Sequence, residues 1–226
     1  MGQTWDVEKA VAAMVATRNS VPRSRSALVA VTGIDGSGKG HVTDAIVQRL
    51  RAQRLNAAGI NVDRWLNLPS VRFNRQRPAE HFYRHAIRFD EMFGRLILPL
   101  KDQRTHSVFA DFAEETAHEY RKYFYSYYDV DVIVLEGIYL LKRAYRRHYD
   151  LSFWIECSFE TALERALHRA QEGLPPAQTV EAYESTYFPA QRIHFALDDP
   201  RTAADGILVN DPRLARPQVE RSLELA

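Results

Sequence analysis

Gly33-Ile34-Asp35-Gly36-Ser37-Gly38-Lys39-Gly40 directly follows the apolar run Ala27 to Val31. This segment holds four of the chain's ten glycines and one of its five lysines. Glycines let the backbone curl so that successive N–H groups point at one anion, and a lysine there reaches the outer phosphates. The N-terminus of the following helix adds positive potential. The segment therefore predicts a phosphate-binding loop for a nucleoside triphosphate, with these contacts: Gly33, Asp35, Gly36, Ser37, Gly38, Lys39, Gly40 and His41.

One position departs from the usual pattern of such a loop. A Ser or Thr normally follows the lysine and ligates Mg²⁺, whereas this chain has Gly40. Adenylate kinases have a similar Gly-Lys-Gly ending, which implies that Mg²⁺ can be held through water and substrate phosphates. Thr43 lies one turn further on, too far to replace the missing hydroxyl. The departure bears on the metal and leaves the phosphate prediction intact.

Composition favours one globular domain over residues 1–226, because 46% of the residues are hydrophobic and 26% are charged. A net charge of +1 gives no global field for nucleic acid or membranes, and neither is expected as a partner. The single cysteine, Cys157, suggests a reducing compartment. Because signal-peptide and membrane-spanning patterns are also missing, we expect a cytoplasmic protein. A homo-oligomer remains possible.

The first third of the chain predicts a leading helix and one βαβ unit. Residues 1–25 comprise an amphipathic helix, over 4–18, and a connector. A buried strand from Ala27 to Ile34, a helix from Lys39 to Ala57 and a strand from Gly59 to Val62 follow. Such a unit is parallel and right-handed, which places Asp63 at the carboxyl end of its second strand.

The remaining patterns predict further strands around an irregular middle. Residues 77–100 favour a helix, and region 104–128 favours a hairpin of Arg104–Phe112 and Tyr120–Tyr125. Buried strands are expected over 131–137, 151–155 and 206–209, and a helix over 159–170. Together these elements predict a three-layer α/β domain with a mostly parallel five-stranded sheet. Ligands should bind outside the carboxyl ends of its strands.

Two acids each end a predicted strand beside the loop. Asp63 is a candidate base for an acceptor hydroxyl, and Glu136 is a candidate ligand of Mg²⁺ or of its water, with Asp63 beside it. The alternative is that both are solvated acids at strand ends. Their joint placement beside Lys39 favours the chemical interpretation.

A resemblance to a known protein family supports this chemical interpretation of the two acids. The glycine loop, the strand ending in Asp63, the aromatic hairpin region and the run from Val132 to Leu140 resemble uridine kinase and its phosphoribulokinase and pantothenate kinase relatives. The resemblance spans roughly residues 26–210. It implies a P-loop NTPase fold with a helical lid and a small hairpin insertion. It also implies a kinase that uses ATP or GTP with Mg²⁺ to phosphorylate a small-molecule hydroxyl, with Asp63 as the matching base.

The lid is expected over 165–195. Arg165 and Arg169 are spaced i, i+4 and can reach one phosphate region, and Arg169 matches the family position better. Ordinary solvated arginines are the alternative. The segment Gly173-Leu174-Pro175-Pro176 breaks the helix where uridine kinases carry further arginines, and Arg192 could compensate.

The acceptor side departs most from the family. Uridine kinases have a Tyr-Asp-Phe segment, whereas this chain has Ala110-Asp111-Phe112, so uridine itself is disfavoured. Asp111 and Glu136 are candidate substrate contacts, as are Tyr83 and Arg84 on the segment that would face the acceptor. A nucleoside or another small polyol is the expected acceptor.

Two other functions stay open. Gly40 and the thin lid would also suit a nucleotide-binding regulatory module that has lost efficient transfer. A nucleic-acid end kinase would require a basic channel.

Overall fold

A computed structural model, which describes residues 4–169 and 173–214, contains one sheet of six parallel strands. Its strand order is β1-β8-β7-β2-β6-β3, and a separate hairpin pairs β4 with β5. The predicted parallel sheet is confirmed, but with a sixth strand, because β1 pairs with β8 at the edge. A strand of two residues, such as β1, is too short to show an alternating apolar and polar pattern in the sequence. The strands are β1 (Thr4–Trp5), β2 (Ala27–Gly33), β3 (Ala57–Asn61), β4 (His106–Phe112), β5 (Arg121–Tyr127), β6 (Val132–Gly137), β7 (Leu151–Glu156) and β8 (Gly206–Val209).

The central strands are buried along their whole length, as their continuous apolar runs predict for a sheet covered on both faces. Register brings three carboxyl ends together: Val31 of β2 lies opposite Glu136 of β6, which lies opposite Asn61 of β3. The loop after β2 and the turn after β3 therefore meet at one edge of the sheet.

Two predicted boundaries were wrong around the first βαβ unit. The helix after the glycine loop ends at Ala52 instead of Ala57, and the next strand is Ala57–Asn61 instead of 59–62. Asp63 consequently lies in a 3₁₀ turn, Val62–Trp65. The helices are α1 (Val7–Ser20), α2 (Lys39–Ala52), α3 (Pro69–Arg72), α4 (Pro78–His85), α5 (Phe89–Met92), α6 (Leu98–Gln103), α7 (Phe159–Arg169), α8 (Pro176–Ala182), α9 (Phe188–Asp198) and α10 (Pro200–Ala203).

Helices cover both faces of the sheet, which confirms the three layers. Ala10 and Met14 of α1 pack with Ile46 and Leu50 of α2 on one face. The larger core on the other face joins α4 to α9. Within the described part of the chain, every helix is too short or too polar to cross a membrane.

Two π-helical turns interrupt the helices that pack in the larger core, and each ends just before a proline. Phe93–Ile97 precedes Pro99, and Tyr183–Tyr187 joins α8 to α9 just before Pro189. Proline lacks an N–H and its ring clashes with the carbonyl four residues back, so the α-helical ladder is broken there. For Pro99 that carbonyl belongs to Arg95, and it accepts a hydrogen bond of 2.8 Å from the His106 ring instead.

Candidate active site

The glycine loop has the conformation that its sequence predicts. Gly36 and Gly38 have φ angles of +75° and +77°, a left-handed region that favours glycine. A Cβ atom at Gly36 would lie 2.5 Å from the carbonyl oxygen of Ala162, and one at Gly38 would collide with the Asn210 side chain. No side chain among the described residues caps the start of α2. The first N–H groups of this helix are thus available to an anion.

Lys39 begins α2 and is buried, with only 7% of its surface exposed. Its Nζ atom lies 3.4 Å from the carbonyl oxygen of Ile34, across the loop. Arg165 and Asn210 donate to the carbonyl oxygen of Ser37 at 3.0 and 2.8 Å. These contacts tie the loop to α7 and to the segment after β8.

Asp35 has partners on the protein side. Its Oδ1 accepts the backbone N–H of Gly36 at 2.9 Å, and its Oδ2 accepts the Tyr183 hydroxyl at 2.9 Å. The Arg169 guanidinium lies 3.8 Å from Oδ1. A direct contact of Asp35 with nucleotide stays a prediction, as do contacts through Ser37 and the exposed His41.

Glu136 is 5% exposed at the end of β6. Burial raises the pKa of its carboxyl group to about 7; Lys39 opposes this shift, and Asp63 reinforces it. Asp63 follows β3, and its backbone N–H donates to Asn61 Oδ1 at 2.6 Å. Desolvation in the cleft likewise raises the pKa of Asp63, and Lys39 again opposes it. The loop lysine and the two predicted acids therefore share one electrostatic environment.

These acids fit the Mg²⁺ that the family implies. Residues 4–169 and 173–214 contain no group of three or more His, Cys, Asp or Glu side chains arranged for a metal. Mg²⁺ in kinase sites needs only one or two carboxylates besides substrate phosphates and water. Glu136 and Asp63 could supply these carboxylates. The Thr43 hydroxyl near the start of α2 is buried without a hydrogen-bond partner among the described residues.

A cleft of about 380 Å³ opens beside Asp63, beneath the connection between the hairpin strands. A smaller cavity of about 30 Å³ continues from Asp63 toward Asp35 and Arg169. Asp63, Leu66 and Glu115 border both spaces, so Asp63 lies between the glycine loop and the cleft. The cleft is lined by Asn61, Asp63, Arg64, Leu66, Phe112, Ala113, Glu114, Glu115 and Thr116.

Three arginines fasten the hairpin over this cleft by donating to its backbone carbonyls. Arg95 donates to Phe109 at 2.6 Å, Arg88 donates to Asp111 at 2.5 Å, and Arg72 donates to Glu115. Arg72 is 2% exposed, and Arg88 stacks over the Trp65 ring at 5.4 Å. Because Arg72 and Arg88 are held in the body of the domain, the wall formed by residues 112–116 is preorganised.

Tyr83, Arg84 and Asp111 do not line the cleft in the described structure, and their expected role as substrate contacts stays a prediction. Phe82 borders the small cavity, and Tyr83, about 100° further around α4, instead donates its hydroxyl to Asp198. Arg84 pairs at 2.9 Å with Glu80 at the surface. Asp111 pairs with Lys122 at 2.7 Å, because alternation along β4 turns it away from the face on which Phe112 lies.

Sequence reasoning missed several residues of the site. Asn61 and Arg64 adjoin Asp63, and a search for polar residues around that strand end would have found them. Glu115 and Tyr183 carry no such signal, because they reach the site from the hairpin and from the π turn.

The expected strands of the hairpin region are confirmed with small shifts, since β4 and β5 pair antiparallel from His106 opposite Tyr127 to Phe112 opposite Arg121. The expected lid falls partly outside the described residues. Arg169 lies at the end of α7, and Arg192 packs over the Phe159 ring at 5.0 Å.

A parallel sheet, a glycine loop between strand and helix, and two acids at neighbouring strand ends define the chain as an α/β protein with a P-loop kinase fold. The family model described as "Phosphoribulokinase / Uridine kinase family" matches residues 28–173, more than half of the chain. The chain belongs to this family.

Three relatives in sequence or fold share 15–30% identity with this chain. The uridine kinase of Limosilactobacillus reuteri is 30% identical over 151 residues, which cover 64% of this chain and 65% of that protein. A solved structure of a possible uridine kinase from Bacillus stearothermophilus has a TM-score of 0.68 at 17% identity and covers 89% of this chain and 98% of its own. Phosphoribulokinase from Rhodobacter spheroides has a TM-score of 0.58 at 15% identity, and the match covers 88% of this chain and 76% of the phosphoribulokinase chain. The two structures support the shared fold alone.

Proposed function

We propose that this protein is a kinase that transfers the γ-phosphoryl group of ATP or GTP to a hydroxyl group of a nucleoside or similar small metabolite. The position of Asp63 carries the proposal, because this residue borders both the cavity beside the glycine loop and the cleft beneath the hairpin. An acceptor in the cleft would present its hydroxyl to Asp63 with the phosphoryl group on the opposite side. Family membership supports the reaction class.

Each residue has a defined role in this proposal. Gly36, Gly38 and Lys39 bind the triphosphate, and Arg169 stabilises the charge on the transferred group. Asp63 accepts the hydroxyl proton as the new O–P bond forms and the bond to the departing diphosphate breaks. Mg²⁺, held by Glu136 and Asp63 with water, would neutralise charge on the phosphates.

The lining of the cleft suits a polyhydroxylated acceptor. Asn61 and Thr116 offer hydrogen-bonding groups, and Glu114 and Glu115 add acceptors for hydroxyl protons. Phe112 provides an apolar face. The volume of about 380 Å³ lies within the range of small-molecule sites.

The test is to measure nucleotide consumption against a panel of hydroxyl metabolites, together with nucleotide binding by calorimetry. We expect Asp63→Asn to retain nucleotide binding and to lose about 10²- to 10⁴-fold in turnover, the usual contribution of a general base. Lys39→Ala should weaken nucleotide binding and also lower turnover. Near-normal turnover in Asp63→Asn would remove this residue from the mechanism. Binding without consumption across the panel would instead favour the regulatory module.

A further inference from the structure

The helical segment from α8 to α9 contacts the glycine loop at Asp35. The Tyr183 hydroxyl donates to Asp35 Oδ2 at 2.9 Å, while Asp35 Oδ1 accepts the Gly36 N–H at 2.9 Å. A carboxylate beside a phosphate site repels a bound phosphate, so the exact position of Asp35 matters electrostatically. The two hydrogen bonds hold that position from opposite sides.

Tyr183 is itself rigidly placed. Its side chain is fully buried, and its ring packs edge-on against Tyr187 at 5.0 Å and against Phe188 at 5.2 Å. It begins the π turn before Pro189. Because the extra residue of a π turn changes which side chains share a helix face, this turn helps to set the direction of Tyr183.

Arg169 lies on the other side of Asp35. Its guanidinium is 3.8 Å from Asp35 Oδ1, and it borders the small cavity together with Asp63. The Arg169 side chain is 45% exposed, and an ion pair so exposed holds an arginine only weakly by itself. A carboxylate that is already fixed gives the guanidinium a defined place.

We propose that Tyr183 is a positioning residue, which fixes Asp35 so that Asp35 directs Arg169 toward the outer phosphate of the bound nucleotide. This inference rests on the proposed kinase function. It assigns Asp35 to the control of Arg169 instead of to direct binding of the nucleotide.

The experiment compares Tyr183→Phe and Asp35→Asn in the wild-type and Arg169→Ala backgrounds. Tyr145→Phe is the matched control. It removes a tyrosine hydrogen bond of 2.7 Å to Asp90, and Tyr145 lines neither the cleft nor the small cavity. Two quantities are measured: kcat and KM for transfer, and the ratio of diphosphate to triphosphate dissociation constants. The second needs no turnover, and thermal unfolding of each variant checks that it is folded.

We expect Tyr183→Phe to lower kcat about tenfold. The triphosphate preference, which is the ratio of the diphosphate to the triphosphate dissociation constant, should also fall about tenfold. Changes of this size are typical of losing one hydrogen bond to a charged group. Diphosphate affinity should be unchanged. Asp35→Asn keeps the Tyr183 contact and should lower the same two quantities, and neither variant should matter once Arg169 is alanine. Tyr145→Phe should match the wild type.

Three results would overturn the inference. These are an unchanged triphosphate preference in Tyr183→Phe, an equal loss in the Arg169→Ala background, or weaker diphosphate binding in Asp35→Asn, which would mean that Asp35 contacts the nucleotide directly. If the wild type phosphorylates no acceptor, the proposed function fails. The affinity ratio then still decides whether Tyr183 positions Arg169.

Discussion

Gly40 stands where a serine or threonine is usual, yet the backbone there does not require glycine. A Cβ atom at Gly40 would have no heavy atom within 4 Å among its described surroundings, and its φ angle is not positive. At this residue scale we expect Gly40→Ser to leave phosphoryl transfer unchanged or to improve it, because the new hydroxyl would add a Mg²⁺ ligand. Initial rates across a Mg²⁺ titration would measure the effect.

Gly36→Ala is the matched control within the same loop. Its Cβ would meet the carbonyl of Ala162 at 2.5 Å with a φ angle of +75°, so nucleotide binding should be lost. A collapse of nucleotide binding in Gly40→Ser would mean that the loop needs glycine there for its shape.

At the scale of elements, the hairpin depends on arginines that donate to its backbone. Arg88 is the best placed to test, since its side chain is 10% exposed and contacts Glu91 at 2.6 Å as well as the carbonyl of Asp111. We expect Arg88→Met to reduce the free energy of unfolding by about 2–4 kcal/mol, because the Asp111 carbonyl loses this donor and Glu91 loses the shorter of its two ion pairs. KM for the acceptor should rise while nucleotide affinity stays the same.

Denaturant unfolding and separate titrations of the two substrates check this prediction. Arg77→Met serves as the control, because Arg77 is 78% exposed and its pair with Glu80 is 3.7 Å long. An equal rise in KM for both substrates would contradict the view that the hairpin serves the acceptor side alone.

At the scale of the whole molecule, a buried cluster joins α4, α9 and the segment after β6. Asp198 accepts hydrogen bonds from Tyr83 and from the Arg143 backbone, and it lies 2.7 Å from His194. Burial opposes ionisation of Asp198, but these hydrogen bonds outweigh it and lower its pKa to about 2. Burial also lowers the pKa of His194, although Asp198 opposes that shift.

Both shifts predict a loss of stability in acid. A depressed carboxyl pKa contributes stability above the unfolded pKa near 4, and that contribution disappears as the pH falls through 2. Protonation of His194 below its ordinary pKa acts in the same direction. We expect Asp198→Asn to lower the free energy of unfolding by roughly 2 kcal/mol at pH 7. The same variant should flatten the decline of this free energy between pH 4 and 2.

Urea unfolding at a series of pH values measures this decline. Glu80→Gln, a surface carboxylate in an exposed pair, should change the free energy of unfolding by less than about 0.5 kcal/mol. A parallel decline in Asp198→Asn and the wild type would show that other groups govern acid unfolding.

The sequence by itself determined the glycine loop, the buried strands and the placement of Asp63 and Glu136 beside Lys39. These features depend on local chemistry: an apolar run predicts burial, glycines permit positive φ, and parallel strands end at one edge. Their signals lie within short windows of the chain. That is why the first βαβ unit and the family could be predicted, with boundaries a few residues off.

Only the tertiary structure decided which side chains meet across distant segments. Tyr83 turns to Asp198 and Tyr183 turns to Asp35 because of helix rotation and a π turn, and neither follows from composition. Glu115 reaches the cleft because Arg72, 43 residues away along the chain, donates to its backbone carbonyl. Such contacts depend on packing between elements, which no local pattern encodes, and so the wall of the cleft beside Asp63 could not be predicted from sequence.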